Sequence, residues 1–116
     1  MVFDFERLDV YQAAIGFCRE VEKIIDEMPK VEFRFFDQLG RAALSIPLNI
    51  AEGSGRAHDK ERRQFYLIAR GSSFECVPLL TLLEEKKRIS KEKHSELRAT
   101  LTRIVQMLTK LAQRFD

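Results

Sequence analysis

Apolar residues recur at steps of three and four along most of the chain. Leu8, Tyr11, Ile15, Cys18, Val21 and Ile25 form one such series, a spacing that draws a single stripe along a helix running from about Leu8 to Met28. Pro29 ends it, because the residue ahead of a proline avoids the α region. A second helix is expected from about Phe33 to Glu52, with Phe36, Leu39, Ala43, Ile46 and Ile50 on one face. Pro47 lies inside it and lacks the N–H that would bond the Ala43 carbonyl, so a kink is expected there. Gly53-Ser54-Gly55 should then close the helix, a glycine taking the left-handed cap. Asp59 is the expected N-cap of a third helix, about Lys60 to Lys87. Its stripe reads Phe65, Ile68, Ser72, Cys76, Leu79 and Leu83, with Gly71 and Pro78 as weak points. Ser90 caps a fourth, whose Leu97, Leu101, Ile104, Leu108, Leu111 and Phe115 make the cleanest repeat. Four helices of ~20–28 residues, each ~30–40 Å long, joined by short loops and with no strand candidate, predict an all-α fold. The expected architecture is an antiparallel up-down-up-down four-helix bundle.

The middle helices carry more apolar surface than one core needs. Phe33, Leu44 and Leu48 lie nearly opposite the main stripe of the second helix, and Tyr66, Leu67, Phe74 and Val77 lie behind that of the third. Such second faces are most economically buried against other copies of the chain, which predicts a homo-oligomer. Between the faces fall Gln38, Ser45, Asn49 and Glu52 on the second helix, with Ser72 and Glu75 on the third. Polar groups in such places must find partners. They read either as an internal network that fixes register, with Arg41 the candidate mate of Glu75, or as a small pocket. No nucleophile with an adjacent base accompanies them, so no catalytic residue is assigned and the chain reads as a non-enzyme.

Composition narrows the classes further. The 116 residues fit one domain spanning 1–116. Apolar residues make up 45% and charged residues 33%, while 5 Gly and 3 Pro leave few breaks for a turn-rich fold. There is no long uncharged apolar run and no signal-peptide pattern, so no membrane association and a cytoplasmic location are expected. Cys18 and Cys76 belong to no CxxC pair and read as small buried hydrophobes in a reducing compartment, a disulfide between them being the alternative. The Glu-x-x-His pattern of di-iron bundles is missing: Gly55 stands three residues before His58, and Lys91 three before His94. No phosphate-cradling glycine loop occurs either. Neither a metal nor a cofactor is expected.

The net charge of +2 conceals an asymmetry. Residues 1–32 hold eight acids and four bases, residues 33–52 two of each, and residues 53–116 fourteen bases and eight acids. Arg56, Lys60, Arg62 and Arg63 surround the entry to the third helix, and Arg63, Tyr66 and Arg70 share one of its sides. Lys86-Lys87-Arg88, followed by Lys91 and Lys93, marks the turn into the fourth helix, along which Arg103, Lys110 and Arg114 align. In an antiparallel bundle these two loops lie at opposite ends and form two patches. Cations beside a tyrosine suit phosphate contact with base stacking, so Arg56, Arg62, Arg63, Arg70, Lys86, Lys87 and Arg88 are candidate nucleic-acid contacts. The competing readings are solvated helix faces, since acids lie three or four residues from several of them, and oligomer or protein-partner contacts.

The run Gln38-Leu-Gly-Arg-Ala-Ala-Leu-Ser-Ile-Pro-Leu-Asn-Ile-Ala-Glu-Gly53, followed by Arg56, resembles the bacterial 23S rRNA intervening-sequence proteins. Leu8-Asp-Val-Tyr-Gln-Ala13 and Phe65-Tyr-Leu-Ile-Ala-Arg-Gly-Ser72 with Glu75 extend the likeness to essentially the whole chain. It is also similar to the accessory variability determinant of diversity-generating retroelements, a basic pentamer that binds nucleic acid and partners a reverse transcriptase. The resemblance implies a four-helix bundle assembled as a homopentamer with a central channel, encoded within insertions in ribosomal RNA genes, and no enzymatic activity. It identifies no functional residue among Gln38, Ser45, Asn49, Glu52 and Glu75. The chain departs from the pattern after Glu75: Pro78 interrupts the third helix, and Lys87-Arg88-Ile89 stands where the family has Gly-Tyr-Ile.

Overall fold

The computed structural model describes residues 1–30 and 33–116. A short 3-10 turn, Asp4–Arg7, precedes four helices: α1 (Asp9–Asp26), α2 (Phe33–Ser54), α3 (Asp59–Glu85) and α4 (Lys91–Gln113). Each packs against its neighbours in sequence, and α4 closes the square onto α1. The diagonal pairs α1–α3 and α2–α4 do not meet among the described residues. Cross-helix bonds fix the directions. Gln38 reaches Glu75, Ser45 reaches Ser72 and Ser54 reaches Tyr66, so α3 runs back along α2. Arg63 reaches Asp116 and Arg70 reaches Thr109, so α4 runs back along α3. Lys93, in the first turn of α4, meets Glu20 near the end of α1. The product is an antiparallel up-down-up-down bundle, 43 × 24 × 23 Å.

The stripes of α2 and α4 are buried as the spacing predicts; Phe115, beyond the end of α4, stays half-buried. Those of α1 and α3 are rotated. The centre of α1 is Val10, Ala14, Phe17 and Val21, while Tyr11, Ile15, Cys18 and Ile25 flank it, half-buried. Both series obey the three-and-four rule, because α1 is apolar over much of its circumference. On α3 the core face is Tyr66, Ala69, Ser73, Cys76, Leu80 and Leu83. Phe65, Ser72 and Leu79 turn to the flank, and Ile68 stays 45% exposed. Counting large apolar residues favoured the wrong face here, because Ala69 and Ser73 are the small residues that let α3 approach the centre. The Ser73 hydroxyl, fully buried, donates to the Ala69 carbonyl of its own helix at 3.0 Å.

Helix α2 runs through Pro47 without a break. The carbonyl that Pro47 leaves without an N–H donor, that of Ala43, accepts the Cys18 thiol at 3.1 Å. The α1–α2 contact thus closes a gap in the α2 ladder. Burial, with Glu22 nearby, pushes the Cys18 thiol up to about 11, and burial pushes Cys76 up to about 12. Both cysteines are free thiols.

Two helix ends differ from expectation. The α2 helix does not stop at a left-handed glycine: no described glycine has positive φ, and Gly53 is a buried helical residue. A Cβ there would lie 3.0 Å from Phe65 Cβ, 3.0 Å from Tyr66 Cε1 and 3.2 Å from the Arg62 carbonyl oxygen. Glycine is needed at this position because α3 crosses it so closely. The N-cap of α3 is His58, without a side-chain bond, and Asp59 is the first helical residue. Ser90 caps α4 as expected, its hydroxyl accepting from the Lys93 amide at 3.0 Å.

Among the described residues, Lys87 is the one in the left-handed region, with φ 59°. The Arg88 amide donates to the Leu83 carbonyl and the Lys87 amide to the Glu84 carbonyl, each at 2.9 Å. That pair of bonds is the Schellman closure of α3, which glycine adopts freely and an L side chain enters at a cost of about 1 kcal/mol.

A candidate nucleic-acid interface

The α2–α3 loop and the first turns of α3 hold the first basic cluster against the end of α4. Arg56 is ion-paired with Glu52 at 3.1 Å and lies 3.9 Å from Glu61, its guanidinium 4.7 Å from the Phe65 ring centroid. Arg62 folds back to donate to the Arg56 carbonyl at 2.6 Å, approaches Asp59 at 3.6 Å, and sits 5.6 Å from the Phe115 ring. Arg63 donates to Asp116 at 2.8 Å. Two turns along α3, Arg70 donates to the Thr109 hydroxyl at 2.9 Å and lies 4.9 Å from the Phe74 ring. Three of the four guanidinium groups therefore stack on phenylalanine rings. Such stacking holds a planar cation in place and leaves hydrogen bonding to its N–H edge.

Tyr66 does not belong to this surface. It is 3% exposed, its ring packs against Phe115 and its hydroxyl is bonded to Ser54 at 3.0 Å, so it offers no face to a base. The aromatic partners of the arginines are Phe65, Phe74 and Phe115 instead. Arg70 and Phe74 are one helical turn apart, a relation readable from spacing. The Arg56–Phe65 and Arg62–Phe115 pairs depend on the loop path and on α4, and no local pattern announces them.

Lys86, Lys87 and Arg88 lie at the opposite end of the bundle, separated by the ~40 Å length of a 27-residue helix. Lys86 Nζ is 5.8 Å from the Phe35 ring. Nearby, Lys93 bridges Glu20 and Glu96 at 3.4 Å each. The Glu20 partner lifts the Lys93 ammonium above its ordinary value, and the Lys93 bond holds Glu20 below its own.

The polar residues of the α2–α3 seam are partnered among themselves. Ser45 and Ser72 share a hydrogen bond of 2.8 Å, and the Asn49 amide donates to the Ser45 carbonyl and hydroxyl at 2.8 and 2.9 Å. Gln38 donates to Glu75 at 3.2 Å, whereas Arg41 turns to Asp37 at 2.8 Å. The Arg41–Glu75 pair is thus replaced by i,i+4 pairing on α2. Glu52 borders an open depression with Leu48, Ala51, Gly55 and Arg56, but its carboxylate is the one held by Arg56. The seam keys α2 to α3.

Among the described residues no group of His, Cys, Asp and Glu is placed to hold a metal ion, and no helix is long and apolar enough to cross a membrane. His58 precedes α3 and His94 lies in the first turn of α4.

The family model for 23S rRNA-intervening sequence proteins matches residues 6–110, from the N-terminal turn nearly to the end of α4. The chain belongs to that family. A crystal structure of a protein of unknown function from the S23 ribosomal protein family of Bacteroides thetaiotaomicron VPI-5482 shares the fold. Its TM-score is 0.80 at 21% identity, covering 89% of this chain and 97% of that one. No curated protein matches the chain. Neither family nor structural neighbour belongs to a known class of enzymes.

Proposed function

We propose that this member of the 23S rRNA-intervening sequence family is a non-enzymatic, oligomeric protein that associates with nucleic acid, RNA foremost, through its basic patches. The observation that carries the reading is the grouping of Arg56, Arg62, Arg63 and Arg70 along one end and edge of the bundle, three of them stacked on aromatic rings. The ion pairs of Arg56, Arg62 and Arg63 lie at the surface and are worth ~0–1 kcal/mol each, so a phosphate can replace a carboxylate at little loss. Lys86, Lys87 and Arg88 supply a second contact at the other end.

Assembly follows from the apolar residues left outside the core. Leu44 is 51% exposed, Leu48 55%, Ile68 45% and Phe74 52%, and a second copy is the economical cover for them. The pentamer implied by the sequence resemblance would repeat each patch around an axis and multiply its field. Sedimentation velocity tests this directly: a pentamer is expected, and a monomer at micromolar concentration would overturn it.

Nucleic-acid association is tested by anisotropy of a labelled single-stranded RNA across a salt series. Affinity should fall steeply between about 50 and 200 mM salt, the log–log slope reporting how many phosphates are neutralised. Replacing Arg56, Arg62, Arg63 and Arg70 by glutamine should abolish most of it. Affinity indifferent to salt and to the substitutions would overturn the reading.

The pairing of Arg63 with Asp116 and of Arg56 with Glu52 favours one alternative, a protein-interaction scaffold without direct nucleic-acid binding. Partners retained after nuclease treatment, with no salt-sensitive RNA binding, would decide for it.

A further inference from the structure

The α3–α4 turn holds a conflict between backbone and side chain. Its Schellman bonds require a left-handed residue after α3, and Lys87 fills that position at φ 59°. Glycine enters that region without the Cβ clash that opposes every other L residue, and asparagine more readily than lysine. The helix end does not itself call for this ammonium: Lys86 stands at the C-cap of α3 and Arg88 follows, so cations already complement the carbonyl end of the dipole. On the far side of the turn, Lys91 and Lys93 occupy the first turn of α4, where the same dipole disfavours cations. Lys93 is held by Glu20 and Glu96. An open depression of about 570 Å³ runs between Lys87, Arg88 and Lys91, with Glu84 and Glu85 on its α3 wall. Three cations, Lys87, Arg88 and Lys91, thus share this depression with two carboxylates.

We propose that Lys87 is a contact for the sugar–phosphate backbone of RNA, its charge retained in a conformation that makes the fold less stable than glycine would. The inference rests on the nucleic-acid association proposed above and narrows it: one side chain, in one loop, is kept for its charge against the preference of the backbone. It gives stability and binding opposite signs at a single position, which a lysine with only a structural role cannot do.

The test compares the full-length protein with Lys87→Gly, Lys87→Asn and Lys87→Arg, measuring Tm and the affinity for a labelled single-stranded RNA over a salt series. A DNA strand of the same sequence serves as a second arm. Lys87→Gly should raise Tm by about 3–6 °C. It should also weaken RNA binding about 5-fold at about 0.1 M salt, with the log–log slope shallower by about 0.7 for each phosphate no longer neutralised. Lys87→Asn, which tolerates the conformation without the charge, should weaken binding equally, and Lys87→Arg should preserve it. If Lys87→Gly gains stability while affinity and slope stay at wild-type values, the inference is overturned and the wider association stands. If the wild-type protein shows no salt-sensitive binding to either strand, both fall together.

Discussion

The two ends of the bundle carry their positive charge in different ways. Where α2 passes into α3, the arginines are woven into the fold: Arg62 bonds the Arg56 carbonyl, Arg63 ties α3 to Asp116 just beyond α4, and rings back three of the guanidinium groups. Beneath them Gly53 leaves no room for a Cβ, which would lie 3.0 Å from the Tyr66 ring. Where α3 passes into α4, the charges ride on a short turn whose backbone would be served better by glycine. The first end shows cations that also hold structure. The second shows a cation held in spite of structure. Charge composition cannot separate these cases, since both ends read simply as basic.

The sharpest way to break the contrast is at the packed end. Gly53→Val should push its side chain into Phe65, Tyr66 and the Arg62 carbonyl, costing about 3 kcal/mol, visible as a lowered denaturant midpoint. A mild effect would mean that this end has slack comparable to the other. Lys87→Gly should act in the opposite direction, stabilising by about 1 kcal/mol, read from the same unfolding curves. Tyr66→Phe removes the Ser54 partner and should cost about 1 kcal/mol, again confined to the packed end.

The thiols compare the interior with both ends. Cys18 and Cys76 titrate high in the folded protein, near 11 and 12, against about 8.5 when unfolded. The native state therefore holds these protons longer. Their stabilising contribution is intact below about pH 8.5 and is lost as pH rises toward the folded values. Stability should fall through that alkaline window, and a disulfide reagent at pH 8 should label the native protein slowly and the unfolded protein fast. Rapid native labelling of both cysteines would show the interior to be as open as the turns.

The smallest effect belongs to Lys93→Gln at the turn end. Glu20 is lowered and Lys93 raised by their mutual bond. The pair therefore contributes above the unfolded glutamate value and below the unfolded lysine value, fading at acid and strongly alkaline pH. Lying at the half-exposed surface, it should shift Tm only slightly, and less at high salt.

The sequence revealed some features through local rules and hid others in tertiary ones. The faces of α2 and α4, the Ser90 cap and the separation of the two basic loops follow from spacing and residue type. The rotation of α1 and α3 did not, because a helix packed on two sides buries more than one stripe, and Ala69 and Ser73 register poorly in a hydrophobic count. Gly53 looked like a helix terminator because glycine often is one; its actual constraint is a neighbouring helix that local sequence cannot display. At the candidate interface, the arginines were legible as charge, but their ring partners and the burial of Tyr66 depend on how α3 meets α4.

The contact between Cys18 and the Ala43 carbonyl has a last consequence. Proline deletes a hydrogen from one helix, and a different helix returns one, on sulfur rather than nitrogen. Any chemistry that takes that hydrogen, alkylation or oxidation alike, leaves a lone pair of α2 unanswered in the middle of the bundle. The chemical state of one thiol is thereby written into the backbone of its neighbour.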